Sequence, residues 1–407
     1  MDVIEKINPS EKEVKEVNSL INSFFKKIKP KLKDAIPELG GSMAKNTWLK
    51  GDHDIDVFVK FPFSKYNDKD IAKLLQERLK NIKYEIMHGS RDYLQVKQGK
   101  YLIELIPVLD IKHSSSHLNI TDVSPLHAKY VKKSNKDSIQ FRIAKAFFKA
   151  NNLYGAESYI KGFSGYVTEL LIIYYGNFPN LIKKASKWKS QVIIDSEHHY
   201  KSEKEILKNI NKDKITNLIL IDPVQKERNA AAALSSEKYF EFINLCKKYL
   251  IKPSKEFFEM KEFNINLIRK KAKKNKLILF TVKPLKGKPD VIGSKLLKIF
   301  NFIKDKINKE GFNIVESNWE WKEDSILYYI VKDEKLSKEI IHYGPFKKDL
   351  INLENFKKKW KNYKIYYSER VYIKLPRINN TLEKFSKIFL KDDYVKLNVK
   401  EIKLKVY

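Results

Sequence analysis

Three carboxylates in two apolar segments carry the clearest chemical signal in the sequence. Asp54 and Asp56 begin DIDVFVKF, and Glu104 lies within YLIELIPVLD. Because side chains alternate across a strand, Asp54 and Asp56 are expected on one face, separated by a single residue. Two carboxylates this close repel each other unless a cation lies between them. We therefore predict that Asp54, Asp56 and Glu104 hold a divalent metal, with Mg²⁺ as the expected ion.

Each acidic residue also has a simpler interpretation. Glu104 alone could face solvent and pair with a lysine, since an unpaired carboxylate among apolar neighbours is costly. Asp52 shares the alternation of Asp54 and Asp56, but the loop at Gly51 favours a solvated position for it. The metal hypothesis therefore depends on Glu104 meeting the two aspartates from a neighbouring strand.

A Gly-Gly-Ser turn precedes the aspartates. Gly40 and Gly41 permit close approach of the backbone, and Ser42 opens a short helix predicted over 43–49, whose N–H groups can receive phosphate. Lys45 lies one turn further and can reach the same phosphates. Such turns are common, but this one is followed by Asp-x-Asp on a strand and a carboxylate on a later strand. The combination indicates a site for nucleotide phosphates.

The elements that must position these residues alternate between helix and strand. Ser10 is a predicted N-cap for the helix EKEVKEVNSLINSFFKKI. A strand over 54–61, a helix over 68–82 and two strands over 93–97 and 101–109 follow, the last two joined by a hairpin turn at QGK. This order predicts a small head domain of helices on a mixed sheet.

The period of apolar residues becomes helical from about residue 138, through DSIQFRIAKAFFKANNLYG, SGYVTELLIIYYG and SEKYFEFINLCKKYLIKPS. The basic segment RKKAKKNK then leads into a strand over 277–282, with further helices and strands after it. We expect a head domain at 1–130, a mostly helical domain at 131–255 and a basic domain at 256–407. The predicted fold class is α+β, with several domains.

The net charge indicates an acidic partner. Lys and Arg number 81 against 50 Asp and Glu, a formal charge of +31. Nucleic acid is the first candidate, an anionic membrane surface the second, and a genome biased towards lysine the alternative without a partner. The segment 358–374, KKWKNYKIYYSERVYIK, interleaves rings with lysines as in proteins that stack bases, although buried strand aromatics give the same pattern. A basic block is expected either to contact phosphates or to be a solvated helix end: Arg269, Lys270, Lys271, Lys273 and Lys274.

Several classes of protein are disfavoured by the sequence. Cys246 is the single cysteine, so neither an internal disulfide nor a cysteine-based zinc cluster is expected. The charged N-terminal segment has no apolar signal core, and no run of about 20 apolar residues occurs, so we expect a cytoplasmic protein without a membrane partner. His113 and His117 have helical spacing but lack a third ligand, which favours a polar loop over a zinc site.

These motifs together resemble the nucleotidyltransferase superfamily that includes DNA polymerase beta, and most closely the archaeal (class I) CCA-adding enzymes. The resemblance is carried by GSMAKNTWLKGDHDIDVFVKFP, FFKANNLYGAESYIKGFSGYVTELLIIYYGNF and IDPVQKERNAAAALS, and continues through LILFTVK and HYGPF. It implies a polymerase-beta-like head, a helical central domain and an α+β C-terminal domain. It also implies a tRNA substrate that receives C, C and A at its 3′ end from CTP and ATP, without a template.

The resemblance implies a role for each matched residue. Asp54, Asp56 and Glu104 match the catalytic metal ligands. Lys145 and Tyr154 match a pair that contacts triphosphate and sugar. The full nucleotide-binding set is Ser42, Lys45, Ser124, His127, Lys145, Tyr154, Arg228 and Asn229, in which Arg228 matches the arginine that reads the incoming base and Asn229 lies beside it. The C-terminal domain would hold the acceptor and T arm of tRNA, and a homodimer is one option for the assembly.

The sequence departs from the family pattern at three places. The family usually has Glu-x-Asp at 54–56 and Asp at 104, so the charges are kept while side-chain lengths are exchanged. Lys45 replaces the usual Arg, which removes a bidentate contact. A segment bearing His, Ser and Gly that the family carries near its end is not found after RVYIKLPRINN. Two alternatives stay open: a poly(A) or poly(U) polymerase, and an inactive RNA-binding relative.

Overall fold

The computed structural model describes residues 3–134, 137–260, 263–332 and 336–407. The chain divides into two compact units, Met1–Lys261 and Glu262–Tyr407. The first unit holds one core under the head sheet and another among the central helices. The second unit has its own core between a sheet and a long helix.

The head combines a mixed sheet with flanking helices. Its helices are α1 Val3–Ile7, α2 Glu11–Ile28, α3 Gly41–Ala44, α4 Phe63–Tyr66 and α5 Ile71–Arg78. Its strands are β1 Ile36–Leu39, β2 Asp54–Pro62, β3 Glu85–Met87, β4 Tyr93–Gln98 and β5 Tyr101–Asp110, in the order β1-β2-β5-β4-β3. Strands β2 and β5 are parallel, while the other neighbouring strands are antiparallel. The predicted mixed sheet and the β4–β5 hairpin are confirmed.

Alternation along β2 separates the core from the site. Ile55, Val57 and Val59 are buried in the head core, whereas the side chain of Asp56 lies on the other face. Helix α2 packs its apolar stripe into the same core, and Ser10 caps it through a capping box with Glu13, as predicted. The apolar side of β2 therefore fixes the register that presents its carboxylates.

Two predicted helices of the head are shorter than expected. Helix α3 ends at Ala44, where the sequence predicts a helix over 43–49, and Asn46 has a φ of 57°, which no α-helix continues through. Helix α5 covers Ile71–Arg78 rather than 68–82, because the Asp70 side chain accepts a hydrogen bond from the Lys73 N–H and starts the helix there. Because α3 ends at Ala44, the segment that follows it is not helical, and Thr47 of this segment lines the same cavity as Ser42 and Lys45.

The central part of the first unit is mostly helical, as predicted. It contains α6 Ser124–Ser134, α7 Ser138–Ala150, α8 Gly165–Tyr175, α9 Phe178–Ala185, α10 Glu203–Asn209 and α11 Ser236–Ile251. Rings of Phe147, Phe148, Phe163 and Phe242 form its core. Two short parallel strands, β6 Val192–Ile194 and β7 Leu218–Leu220, were not expected.

The second unit carries two sheets. Its helices are α12 Ile265–Ala272, α13 Pro289–Glu310, α14 Leu350–Lys359, α15 Leu382–Ser386 and α16 Asp393–Asn398. Its strands are β8 Lys276–Lys283, β9 Ile314–Trp321, β10 Ser325–Val331, β11 Glu339–Phe346, β12 Ile365–Tyr367, β13 Arg370–Pro376 and β14 Glu401–Val406. The sheets are ordered β14-β8-β10-β9 and β11-β13-β12. Among the helices described across both units, none is long and apolar enough to span a bilayer.

Candidate active site

The three predicted metal carboxylates meet at one cavity. The parallel pairing of β2 with β5 puts Asp56 directly opposite Glu104, and Asp54 lies two residues earlier on the same face. All three line a cavity of about 400 Å³ in the first unit. The central prediction of the sequence, that Glu104 meets the two aspartates from a neighbouring strand, is confirmed.

The electrostatics of this cluster favour a bound cation. Burial raises the pKa of Asp56, and the Asp54 carboxylate adds to the rise although Lys45 and Lys145 oppose it. Burial also raises the pKa of Glu104, with Asp56 contributing, while a hydrogen bond of 3.0 Å from Gln95 Nε2 to Glu104 Oε1 opposes it. Raised pKa values mean that the ionised carboxylates are insufficiently compensated by the protein. A cation at this position would supply the missing charge.

The donor set fits a hard divalent metal. Carboxylate oxygens on two strands are the ligands that such ions take in phosphate-transferring sites. Within the described ranges, no group of three or more His, Cys, Asp or Glu side chains is arranged so that it could hold a metal ion, so the three carboxylates do not form a complete metal site without other ligands. Coordination would therefore be completed by substrate oxygens and water, which is the usual situation for Mg²⁺.

Gly41 brings the backbone of α3 against the carboxylate of Asp56. Its φ is +56°, and a Cβ at this position would lie 1.6 Å from Asp56 Oδ2. The Gly40 N–H donates a hydrogen bond of 2.8 Å to the backbone oxygen of Asp56. Ser42 and Lys45, both predicted to contact phosphate, line the same cavity. The glycine therefore holds the predicted phosphate-binding turn directly beside the carboxylates.

The lysines of the cavity are held by acidic residues. Lys45 Nζ lies 2.6 Å from Glu169 Oε2, and Thr47 Oγ1 donates a hydrogen bond of 2.7 Å to Glu169 Oε1. Lys145 Nζ lies 2.6 Å from Asp52 Oδ2. These ion pairs fix the ammonium groups on the cavity wall, where a triphosphate would compete for them.

The expectation that Asp52 is solvated is wrong. It pairs with Lys145 and with Lys149, whose Nζ is 3.1 Å from Oδ1, and accepts a hydrogen bond of 3.0 Å from the Leu49 N–H. Although burial opposes the change, the two lysines lower the pKa of Asp52. Burial lowers the pKa of Lys145, against the effect of Asp52. We call the lysines that line the cavity, Lys45, Lys145 and Lys149, the lysine wall. Asp52 therefore holds two members of this wall and is not one of the predicted metal ligands.

Tyr154, which the resemblance assigns to the nucleotide-binding set, lies beyond the end of α7 at Ala150 rather than on that helix with Lys145. It lines the cavity, with Lys145 Nζ 5.8 Å and Lys149 Nζ 5.5 Å from its ring centre. A Cβ at Gly165, the first residue of α8, would lie 2.6 Å from the Tyr154 hydroxyl. Burial raises the pKa of Tyr154, so its hydroxyl stays protonated and can donate a hydrogen bond.

A second cluster gathers around Asp222, which follows β7. Asp222 is fully buried, and its Oδ2 accepts a hydrogen bond of 2.6 Å from Arg228 Nη1 and lies 2.9 Å from His127 Nε2. Tyr166 donates its hydroxyl to Oδ1 at 3.0 Å, and its ring packs 4.4 Å from that of His127. Despite burial, which opposes the shift, His127 and Arg228 lower the pKa of Asp222 to about 2.

The structure thus unites two predicted nucleotide-binding residues on a carboxylate that the sequence analysis did not single out. His127 and Arg228 share Asp222, and α8 carries both Tyr166 of this cluster and Glu169 of the cavity. Like Glu104, Asp222 is an acidic residue at an apolar strand, here LILID, and Glu169 stands alone among apolar residues in α8. A single acidic residue among apolar neighbours is therefore the sequence signal that points to Asp222 and to Glu169.

Asn229 and Ser124 are placed differently from the other predicted residues. Asn229 is buried, and its side chain is engaged with the backbone: Oδ1 accepts from the N–H of Leu220 and of Ala231, and Nδ2 donates to Lys214 O. Ser124 is the first residue of α6. The described residues that line the cavity of Asp56 and Glu104 do not include Ser124, His127, Arg228 or Asn229.

The basic block lies at the end of α12 and in the turn that follows. The guanidinium of Arg269 is 4.5 Å from the ring centre of Tyr407, and Lys271 Nζ is 3.0 Å from Glu316 Oε1. Lys270, Lys273 and Lys274 are exposed. A contact of this block with phosphate stays a prediction. His113 and His117 flank a single turn of 3-10 helix, a polar segment as expected.

Comparison with known proteins defines the class first. The nucleotidyltransferase domain model matches residues 21–141, the region of the head sheet. A solved structure of the Cid1 poly(U) polymerase superposes with a TM-score of 0.50 at 15% identity, covering 64% of this chain and 97% of that one, which shows a shared fold. The fold is that of a polymerase-beta-like nucleotidyltransferase.

The remaining matches define the family. The model for the second domain of tRNA nucleotidyltransferases matches 139–259, and that for the C-terminal domain of CCA-adding enzymes matches 272–387. The CCA-adding enzyme of Nanoarchaeum equitans is 35% identical over 343 residues, 82% of each chain. That of Sulfurisphaera tokodaii is 33% identical over 393 residues, 95% of this chain and 90% of the relative. The chain belongs to the family of archaeal CCA-adding enzymes.

Membership fixes the activity as CCA addition by nucleotidyl transfer, with a divalent metal as the general requirement of the class. The match over 272–387 also shows that the chain carries the C-terminal domain of the family, which the sequence analysis recognised only in LILFTVK and HYGPF.

Proposed function

We propose that the chain adds C, C and A to the 3′ end of tRNA, with CTP and ATP as donors and Mg²⁺ as the metal. The observation that carries the site assignment is the register of β2 with β5, which puts Asp56 opposite Glu104 at the cavity beside Gly41. The terminal ribose 3′-hydroxyl would attack the α-phosphate in line, and pyrophosphate would leave. Mg²⁺, held by Asp54, Asp56 and Glu104, would activate the hydroxyl and stabilise the charge on the leaving phosphates.

The lysine wall is proposed to bind the triphosphate. Lys45 and Lys145 present ammonium groups inside the cavity, and each is already fixed by a carboxylate at 2.6 Å. Phosphate oxygens would share or displace these carboxylates, so little side-chain ordering remains to be done on binding. Ser42 and Tyr154 offer hydroxyl groups on the same wall for phosphate and sugar.

Base recognition is proposed for the cluster around Asp222. Arg228 would present its guanidinium to the edge of cytosine or adenine, and Asp222 holds one side of that guanidinium at 2.6 Å. His127 would line the nucleotide pocket with Ser124. Asn229 would act indirectly, because its backbone contacts hold the loop that carries Arg228.

We propose three functional domains: a catalytic head at 1–130, a nucleotide-recognition domain at 131–255 and a tRNA-binding domain at 256–407. The last would hold the acceptor and T arm, in part through the basic block from Arg269 to Lys274. The exposed lysines of that block support phosphate contact. A cytoplasmic location follows from a tRNA substrate, and a homodimer is the proposed option for assembly.

The test is incorporation into tRNA that lacks its 3′ CCA. The protein is incubated with this RNA, Mg²⁺ and labelled CTP, ATP, UTP or GTP, and products are resolved to single nucleotides. Two additions with CTP and one more with ATP are expected. Long homopolymer tails would place the chain with poly(A) or poly(U) polymerases instead. RNA binding without incorporation would refute the catalytic assignment.

A further inference from the structure

The segment 358–374, rich in lysine and aromatic residues, contributes none of the described residues that line the cavity of Asp56 and Glu104. It folds into the end of α14, β12 and most of β13. In the sheet β11-β13-β12, one face is covered by α14, where Leu353 and Phe356 pack against Val371 and Ile373. Side chains of the opposite face are exposed or half-buried. The aromatic residues that face α14 therefore fit the interpretation as core residues. Those on the opposite face fit the interpretation as a surface for bases.

Three tyrosines cross the uncovered face in one line. Tyr343 of β11 pairs with Tyr372 of β13, which pairs with Tyr366 of β12. The ring centres are 5.9 Å apart for the first pair and 5.1 Å for the second, whose planes differ by 13°. Tyr343 is 56% exposed. We call these three residues the tyrosine row.

Cations surround the tyrosine row. The Nζ atoms of Lys364 and Lys374 each lie 5.4 Å from the ring centre of Tyr366. At the next position along the face, the guanidinium of Arg370 lies 5.1 Å from the ring centre of Phe346. Lys374 also pairs with a carboxylate on this face, Glu339, at 3.1 Å. The rings are thus bordered by more positive than negative groups.

We propose that the tyrosine row stacks on unpaired bases of the substrate RNA, while Lys364, Lys374 and Arg370 meet the adjoining phosphates. Open sheet faces with aromatic rows stack two or three bases in this way. Cross-strand pairing alone would stabilise the sheet without exposing more than half of Tyr343. The inference rests on RNA being the substrate of the proposed function.

The chain offers a matched control for this surface. Tyr367 is 55% exposed and lies in the same sheet, but it pairs with Val371, on the side that faces α14. Tyr343→Leu and Tyr367→Leu therefore remove the same ring at almost equal exposure from opposite faces. Tyr343→Phe keeps the ring and removes only the hydroxyl.

The measurement is the dissociation constant for a tRNA transcript without CCA, by filter binding in the absence of CTP and ATP. Tyr343→Leu should weaken binding about tenfold, the loss of one stacked base, and Tyr343→Phe should bind within about twofold of wild type. Tyr367→Leu should bind like wild type. A fully paired RNA duplex should bind all variants equally, because it offers no unpaired base.

Equal dissociation constants for Tyr343→Leu and wild type would overturn the proposal, and so would an equal loss in Tyr367→Leu, which would indicate damage to the sheet. Because no nucleotide is present, this outcome is independent of catalysis. A wild-type protein that binds tRNA through Tyr343 but adds no nucleotide would refute the CCA assignment and leave the tyrosine row supported.

Discussion

Replacing Gly41 by alanine should displace the Asp56 carboxylate, a proposed metal ligand, while leaving the fold intact. A Cβ at this position would lie 1.6 Å from Asp56 Oδ2, whereas real Cβ atoms keep at least 3.0 Å, so the carboxylate must retreat by about 1.4 Å. A misplacement of about 1 Å in a catalytic group costs roughly a hundredfold in rate. We therefore expect kcat for CMP addition to fall by about a hundredfold or more.

Alanine at position 41 should also strain the backbone, and this lowers the free energy of unfolding independently of the collision with Asp56. Gly41 has a φ of +56°, where an alanine is strained by about 1 kcal/mol. Gly99, in the β4–β5 hairpin, has a φ of +60°, and no atom lies within 4 Å of the position that a Cβ would take there. Gly99→Ala therefore reproduces the strain without the collision. It should lower the free energy of unfolding by a similar amount and leave kcat unchanged.

The assay is single-turnover addition of one C at saturating CTP, with urea unfolding of both variants in parallel. If Gly41→Ala and Gly99→Ala lose the same stability but only the former loses activity, the close approach to Asp56 is the cause. Near-normal turnover by folded Gly41→Ala would show that the turn can move away from the carboxylate, and the reasoning would fail.

Four further outcomes follow from the same structure. Asp56→Asn should lower nucleotide addition by about a thousandfold, because a metal ligand loses its charge, while the dissociation constant for tRNA stays within about twofold; equal loss of both would contradict the metal role. Glu169→Gln should lower the free energy of unfolding by about 3 kcal/mol, because Lys45 is only 12% exposed and loses a carboxylate at 2.6 Å. In thermal melting, ATP should restore part of the lost stability, because its phosphates would replace that carboxylate. No effect of ATP would contradict phosphate binding by Lys45. Asp222 has a pKa lowered from 3.8 to about 2, so its stabilisation is present above pH 3.8 and lost as the pH falls through about 2. The difference in free energy of unfolding between wild type and Asp222→Asn, from urea titrations, should therefore shrink by about 2 kcal/mol between pH 5 and pH 2. A difference that stays constant with pH would refute this linkage. Affinity for tRNA should fall at least about tenfold between 50 and 200 mM KCl, and a flat response would exclude the basic surface as the tRNA site.

The meeting of the three carboxylates could be predicted from the sequence because it follows largely from local periodicity. The alternation in DIDVFVKF alone puts Asp54 and Asp56 on one face, and an isolated Glu104 among apolar residues needs a reason for its charge. Those two facts are available without knowing the fold. The structure adds that the strands are neighbours and parallel.

The ion pairs of Asp52 and the partners of Asp222 could not be predicted in the same way, because those partners come from distant segments. The loop position of Asp52 suggested solvent, but α7 brings Lys145 and Lys149 to it. Asp222 gathers His127 from α6 and Tyr166 from α8. A side chain whose environment is built by tertiary packing leaves no periodic trace in its own segment.

Short elements could not be predicted from the sequence for a related reason. Strands β6 and β7 have three residues each, too few to establish an alternation of period two. The end of α3 at Ala44 depends on the positive φ of Asn46, which nothing in the helical pattern of MAKNTWL requires. The block Leu277–Val282 was found because a continuous apolar run is visible without periodicity.

The position of β5 between β2 and β4 determines when the protein acquires its chemistry during synthesis. Asp54 and Asp56 leave the ribosome with β2, but their partner Glu104 arrives only after α5 and the β3–β4 segment. A parallel neighbour needs such a long crossover, and contacts between distant segments form slowly. A nascent or truncated chain that ends before β5 consequently has an acidic strand but no active centre. Docking of the β4–β5 hairpin completes the acidic cluster, and α7 must then follow to bring Lys145 to the same cavity.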